Sequence, residues 1–338
     1  MKNTVLVTAI GSFSAEAVIG TCKREGLRVV GCDIYPSSWV VNSQDVDVFY
    51  QAPYATDTKA YREFMKELCE NEQVDYILPL TDAEIDVFQQ WRKEVPDFGG
   101  LRGKICISSE KTIDLCRNKW ETEKFLTEKQ VCRMIPGRRL EDIEPGEIFS
   151  YPLILKPEDG RSSQGLRRIF SQEEMEFALG QCQKEKAAYL IQPMISGRVT
   201  TVDVVRNSKT GSCECLPRRE LLRTLNGAGT SVAVFRDSEL ETVCRNIAEA
   251  LDVQGCVNFE FIEHRSEQGE TEWYFLECNP RFAGGVAFSC MAGYDMVKNH
   301  LNCFSGKDIE VMGNIKNQYL ARRYTEYRME ESKHGQEA

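Results

Sequence analysis

Residues 257–262 (Val257-Asn258-Phe259-Glu260-Phe261-Ile262) alternate apolar and polar side chains, as does the run ending Leu276-Glu277-Cys278-Asn279, and a polar loop, 264–271, joins them. Alternation with a period of two is a strand signature, and two such runs around a short polar loop read as a β-hairpin. If the loop is symmetric about Gln268-Gly269, Glu260 falls opposite Glu277 and Asn258 opposite Asn279, with Leu276 and Cys278 on the other face. Like charges paired across strands destabilise a sheet unless a cation lies between them. Two carboxylates and an amide oxygen, with no His or Cys on that face, suit Mg²⁺ or Mn²⁺ rather than zinc. A register slipped by one residue would leave a solvated hairpin face instead. The strand runs on into Pro280-Arg281-Phe282-Ala283-Gly284-Gly285, which adds a guanidinium and paired glycines to the acids. That is the composition of a nucleotide–metal site.

The N-terminal third has a different rhythm. An apolar run at 4–9, a turn at Gly11-Ser12-Phe13-Ser14, a helical period over 15–25 and a second apolar run at 28–33 make a β-α-β start. The pattern continues with a strand near 75–80, a helix over 82–92 and a short strand at 104–107, and such alternation predicts a parallel sheet. Only one glycine of a dinucleotide fingerprint is present, although Asp33 stands about where an acid would meet a ribose. A Rossmann-like scaffold whose loop faces a cleft fits better than NAD binding.

From residue 136 the chain changes character. Ser108-Ser109-Glu110 opens a helix expected to carry Lys119 in its interior, near Trp120. A strand at 152–156 ends in Lys156 and enters Gly160-Arg161-Ser162-Ser163-Gln164-Gly165. Glycines permit close backbone approach, hydroxyls donate to phosphoryl oxygens and a lysine supplies charge, so this is a phosphate cradle in outline, or else an ordinary hairpin. Strands follow at 188–194 and 199–205, then basic residues through Arg218, Arg219 and Arg223, which either form a solvated face or grip an anion.

A formal net charge of −10 and a pI near 5.1 argue against a nucleic-acid backbone or an anionic membrane as partner. The 14 cysteines are scattered without C-x-x-C spacing, which fits reduced thiols better than a disulfide framework. No apolar run is long enough to span a bilayer and the N-terminus enters a strand at once, so a soluble cytoplasmic protein is expected.

The order of these parts resembles the ATP-grasp superfamily, and in particular single-domain relatives of the carbamoyl-phosphate synthase large subunit. The resemblance covers residues 1–300 and rests on Asn118-Lys119, Ile154-Leu155-Lys156-Pro157, the loop 160–165, Ile191-Gln192-Pro193-Met194-Ile195-Ser196-Gly197-Arg198, and the acid-bearing hairpin through Arg281. It implies an α/β and α+β architecture: a Rossmann-like pre-ATP-grasp domain at 1–108, a small ATP-grasp subdomain with the phosphate loop at 109–188, a C-terminal subdomain with the metal site at 189–305, and an extension at 306–338 whose tail is disordered from about 330. By resemblance, Lys119 and Lys156 hold nucleotide phosphates and the loop with Gly160, Ser162, Ser163 and Gly165 closes over them. Gln192, Pro193 and Met194 read adenine, Glu260, Glu277 and Asn279 bind metal, Arg281 stabilises the transferring phosphoryl group, and Arg219 or Arg223 faces the acyl substrate. Many relatives place a ribose-binding glutamate after the Gly-Arg pair, where this chain has Val199. The implied activity is ATP-dependent carboxylate–amine or carboxylate–ammonia ligation through an acyl phosphate, with ATP and Mg²⁺ or Mn²⁺ as cofactors. Its partners would be a small carboxylate and an amine or ammonia, with no nucleic acid or membrane and a homodimer left open. Rival readings are a nucleotide-binding sensor or regulatory subunit that has lost ligase chemistry, and a kinase-like or carbamoyl-phosphate-forming enzyme.

Overall fold

The computed structural model describes residues 2–144, 147–160, 164–185, 188–224 and 227–329, without the side chains of 183–185. The N-terminal unit contains β1 (Thr4–Val7), α1 (Ala15–Arg24), β2 (Arg28–Asp33), β3 (Val48–Gln51), α2 (Thr58–Asn71), β4 (Tyr76–Leu78), α3 (Asp82–Glu94) and β5 (Lys104–Ile105). Its five strands are parallel in the order β3-β2-β1-β4-β5, the Rossmann-like sheet that the strand–helix alternation predicts. Asp33 is buried, and its carboxylate accepts the amide protons of Gly11 at 2.7 Å and Tyr35 at 3.1 Å. That acid therefore ties the β1–α1 loop to β2. Helix α3 starts where it does because Thr81 and Glu84 form a capping box.

The chain continues through α4 (Glu110–Arg117), α5 (Lys119–Lys129), β6 (Arg133–Met134), β7 (Arg138–Arg139), β8 (Leu153–Pro157), β9 (Arg167–Ile169), α6 (Gln172–Glu185) and β10 (Tyr189–Pro193). Strands β7-β10-β8-β9 form a four-stranded antiparallel sheet over which Met175, Ala178 and Cys182 of α6 pack. This sheet extends to Pro193, so a division at 188/189 would part β10 from its partner β8.

Then follow β11 (Arg198–Arg206), β12 (Cys213–Arg223), β13 (Gly229–Val234), α7 (Ser238–Ala250), β14 (Gly255–Arg265), β15 (Thr271–Asn279), α8 (Val286–Ala292), α9 (Met296–Ser305) and β16 (Gln318–Ala321). They build a seven-stranded sheet ordered β16-β13-β12-β11-β14-β15-β6, closed at one end by a strand from far upstream and at the other by a strand from the C-terminal segment. One face packs Val202, Val204, Phe259 and Phe261 against Leu240, Cys244 and Ile247 of α7. The opposite face packs Val205, Leu216 and Val232 in one continuous core with Met296 and Val297 of α9 and with Val5, Val18 and Ile19 of the N-terminal unit. All 14 cysteines are free. No helix among the described residues is long and apolar enough to cross a membrane. Residues 330–338, where the tail was expected to be disordered, lie outside the described residues.

Candidate active site

The hairpin of β14 and β15 sets Asn258 opposite Asn279 and Glu260 opposite Glu277, as the symmetric loop predicts. Nearer the tip the register is shifted by one, from Phe261 opposite Phe275 to Arg265 opposite Thr271. Leu276 is the extra residue of the bulge between the two registers. The bulge corrects one expectation: Leu276 lines the cleft beside Glu277 and does not share the buried side of Cys278. Burial, and next the Glu277 carboxylate, push the Glu260 acid up to about 7, against the pull of Arg223, whose guanidinium lies 3.3 Å away. Asn279 completes the group, its amide nitrogen 3.3 Å from both Glu277 and the Asn258 side-chain oxygen. Among the described residues no three His, Cys, Asp or Glu side chains converge on a metal position. The donor set here is two acids and an amide, which suits a hard divalent cation.

Two lysines face these acids. Lys119 is the first residue of α5, and the helix opened by Ser109 ends before it, at Arg117. That corrects its placement in a helix interior: Asn118 breaks the helix and caps the next one, accepting from the Glu121 amide at 3.0 Å. The Lys119 ammonium donates to the Gly160 carbonyl at 2.5 Å and lies 3.6 Å from Glu277. Lys156, on β8, is pushed down to about 8, by burial first and by Lys119 second, with Glu277 and Glu123 acting the other way. Both lysines, Glu260, Leu276 and Glu277 line a cleft of about 110 Å³, and Pro157, Gly160, Gln164 and Leu166 complete it. Gly165 has φ +72°, and a Cβ there would stand 2.7 Å from the Pro157 ring, so glycine is required at that turn. Ser162 and Ser163 lie outside the described residues.

The Gln192 side chain is buried, donating to Glu123 at 3.0 Å and to the Ile135 carbonyl at 2.9 Å. Pro193 is exposed, and the Met194 amide donates to the Pro152 carbonyl at 3.0 Å. Val199 pairs with Ile262 two residues along β11 from Thr201, the partner of Glu260, and so shares the face of the acids.

The arginines divide between the faces. Arg223 meets Glu260. Arg219 does not reach the acid face: it forms a two-pronged ion pair with Glu263 (2.6 and 2.9 Å) and lies 3.8 Å over the Phe235 ring, on the α7 side of the sheet. Its neighbour Arg218, read from the sequence as part of a solvated face or an anion grip, is on the acid face by strand alternation, fully buried with Asp203, Glu220 and Ser289. Gly285 makes room for it, since a Cβ there would lie 3.1 Å from the guanidinium. Arg281 is held by Asp82 of α3 at 2.8 Å and donates to the Phe282 carbonyl at 3.2 Å. Burial alone would weaken the Arg281 cation, and the carboxylates of Asp82, Glu277 and Glu260 together more than offset this. Sequence reasoning missed Asp82 because a residue just after a helix cap reads as part of the cap. His300 is buried, pushed down to about 3, and accepts the Cys256 amide proton at 2.8 Å, a structural role.

A Rossmann-like unit followed by two sheets that close on a cleft of paired lysines and paired acids defines a grasp-type nucleotide fold. The chain belongs to the ATP-grasp family, whose domain model matches residues 116–285, half of the sequence; a PylC-like N-terminal domain model matches residues 5–100. The carbamoyl phosphate synthase large chain of Clostridium beijerinckii is 24% identical over 273 residues, covering 70% of this chain and 24% of that one. The D-alanine--D-alanine ligase of Xanthomonas axonopodis pv. citri is 24% identical over 185 residues, 52% of this chain and 58% of that one. The chain thus spans about a quarter of the first relative's length and under two thirds of the second's. In fold it is similar to the biotin carboxylase–β,γ-ATP complex of Campylobacter jejuni, with a TM-score of 0.75 at 18% identity over 93% of this chain and 74% of that one.

Proposed function

We propose that the protein is an ATP-dependent ligase joining a carboxylate to an amine or ammonia through an acyl phosphate. One observation carries the reading: a single cleft is lined by two lysines and two acids, Lys119 and Lys156 facing Glu260 and Glu277, with Lys119 3.6 Å from Glu277. The complement of such a cleft is a polyanion with a divalent cation, which is a metal–nucleotide. Lys119 and Lys156 hold the phosphates beside Gly160 and Gln164, and Gln192, Pro193 and Met194 border the base. Glu260, Glu277 and Asn279 would hold Mg²⁺ or Mn²⁺, which when bound neutralises charge on the phosphates. Arg281 stabilises charge on the phosphoryl group as it leaves ADP for a carboxylate oxygen. The amine nitrogen then attacks the acyl carbon, phosphate leaves and the nitrogen gives up a proton. Arg223 stands on the acid face to meet the acyl group, whereas the position of Arg219 favours a structural part. The biotin carboxylase neighbour is a complex with β,γ-ATP, which supports a nucleotide as the ligand of this fold.

The test is ADP release from MgATP against a panel of carboxylates paired with amino acids and ammonium. Hydroxylamine replaces the amine in a parallel panel to trap the acyl phosphate as a hydroxamate. ADP and hydroxamate with the same carboxylate support the ligase. Tight ATP binding with neither product across the panel overturns it in favour of a nucleotide sensor.

A further inference from the structure

Asp82 lies in the N-terminal unit, far in sequence from the hairpin, yet its carboxylate oxygens serve two arginines of the nucleotide-binding half. One is 2.8 Å from Arg281 and the other 3.5 Å from Arg117. Arg117 is the last residue of α4, is held also by Asp86 at 2.9 Å, and stands two residues before Lys119. The ordinary explanation for an acid at the first position of a helix is capping, but that work is done by Thr81 and Glu84. Glu84 accepts from the Thr81 amide at 3.1 Å and hydroxyl at 2.8 Å, and from the Leu80 amide at 3.3 Å. Asp82 meets both arginines in a setting where its side chain is only 12% exposed and theirs 20%.

Arg281 also feels Glu277 and Glu260. A guanidinium attracted from both sides is placed by whichever anion it is hydrogen-bonded to, and here that is Asp82. We propose that Asp82 is a positioning residue of the phosphoryl-transfer site: it holds Arg281 away from the metal-binding acids and, through Arg117, fixes the start of the helix that carries Lys119. The Rossmann-like unit then completes a site otherwise built from the other two sheets. This inference rests on the reading that Arg281 meets the transferring phosphoryl group.

Asp82→Asn in the full chain removes the charge at nearly constant shape. The expected crystal structure of that variant keeps the fold and shows the Arg281 guanidinium displaced toward Glu277. Carboxylate-dependent ADP release should lose about 10- to 100-fold in kcat, the effect of a misplaced catalytic group, while KM for ATP stays within about threefold. In an Arg281→Lys background the same change should cost less than about twofold, because both substitutions remove one interaction. An Arg281 that stays in place in Asp82→Asn, or an undiminished kcat loss in the Arg281→Lys background, overturns the proposal. Should Asp82→Asn fail to fold, Asp82→Glu moves the charge by one methylene, and parent-like kcat there overturns it equally. If no carboxylate yields ADP even with the parent, the ligase reading falls and the displacement of Arg281 decides the Asp82 assignment by itself.

Discussion

Arg281 and Lys156 are the residues whose surroundings most distinguish catalysis from binding. Truncating Arg281 would take the nearer of two arginines from the half-buried Asp82, so Arg281→Lys is the informative change: it keeps the charge and loses the planar fork. We expect ATP affinity within a few-fold of the parent and about a 10²-fold loss of carboxylate-dependent ADP formation, measured by single-turnover kinetics. Equal losses in affinity and turnover would contradict a role confined to the transition state. For Lys156 the sign follows from its depressed value. The free protein releases that proton near pH 8, whereas bound phosphates favour the ammonium. ATP affinity should therefore fall as pH rises above about 8, and binding at about pH 9 should take up close to one proton, read by calorimetry in buffers of different ionisation enthalpy. Lys156→Met should abolish the uptake. Both residues stand in short motifs; Asp82 does not, and its partners come from the far end of α4 and from beyond β15.

At the scale of elements, alternation and the symmetric loop located the acids correctly, although the pairs nearer the tip depart from that register. Glu260 and Glu277 pair as a symmetric hairpin demands, yet the tip turns at Ser266 to Gly269 one residue out of that symmetry, and the bulge at Leu276 restores it. A bulge inside an alternating run leaves no mark in the sequence, since Leu276 reads equally well on either face. Helix boundaries were similarly hidden: nothing but the capping habit of Asn118 signals that α4 ends and α5 begins there. The turn from β10 into β11 makes a separate prediction. A Cβ on Gly197 would come within 2.4 Å of Ile262 and 2.5 Å of the Glu263 carbonyl, so the strands close only because glycine is there. Gly197→Ala should cost about 1–3 kcal/mol in urea unfolding as β11 is pushed off β14. A parent-like midpoint would mean that the turn relaxes freely.

At the scale of the molecule, the cores are unequal. The seven-stranded sheet and the N-terminal unit share one apolar core through α8 and α9, whereas the four-stranded sheet has its own small core under α6. Hydrogen exchange should therefore show the amides of β8 and β10 opening at lower free energy than those of β1, β11 and β14, with MgATP protecting the former most, since Lys156 and Gly160 lie on that side of the cleft. Uniform protection in both sheets would argue for a single cooperative body. The parallel sheet and the paired sheets of the nucleotide half were readable from alternation, but their joining was not, because α8 and α9 look like ordinary amphipathic helices until both their neighbours are known. The outermost strand, β16, lies beyond both matched family models and covers the backbone of β13 from Ser231 to Val234. A ribosome that stops early, or a protease that trims the chain before residue 318, would release a molecule with its cleft entire and a bare strand edge, the template on which foreign strands add. Whether a damaged copy stays harmless or recruits its neighbours into aggregates is thus decided by the four residues of β16, none of which lines the cleft.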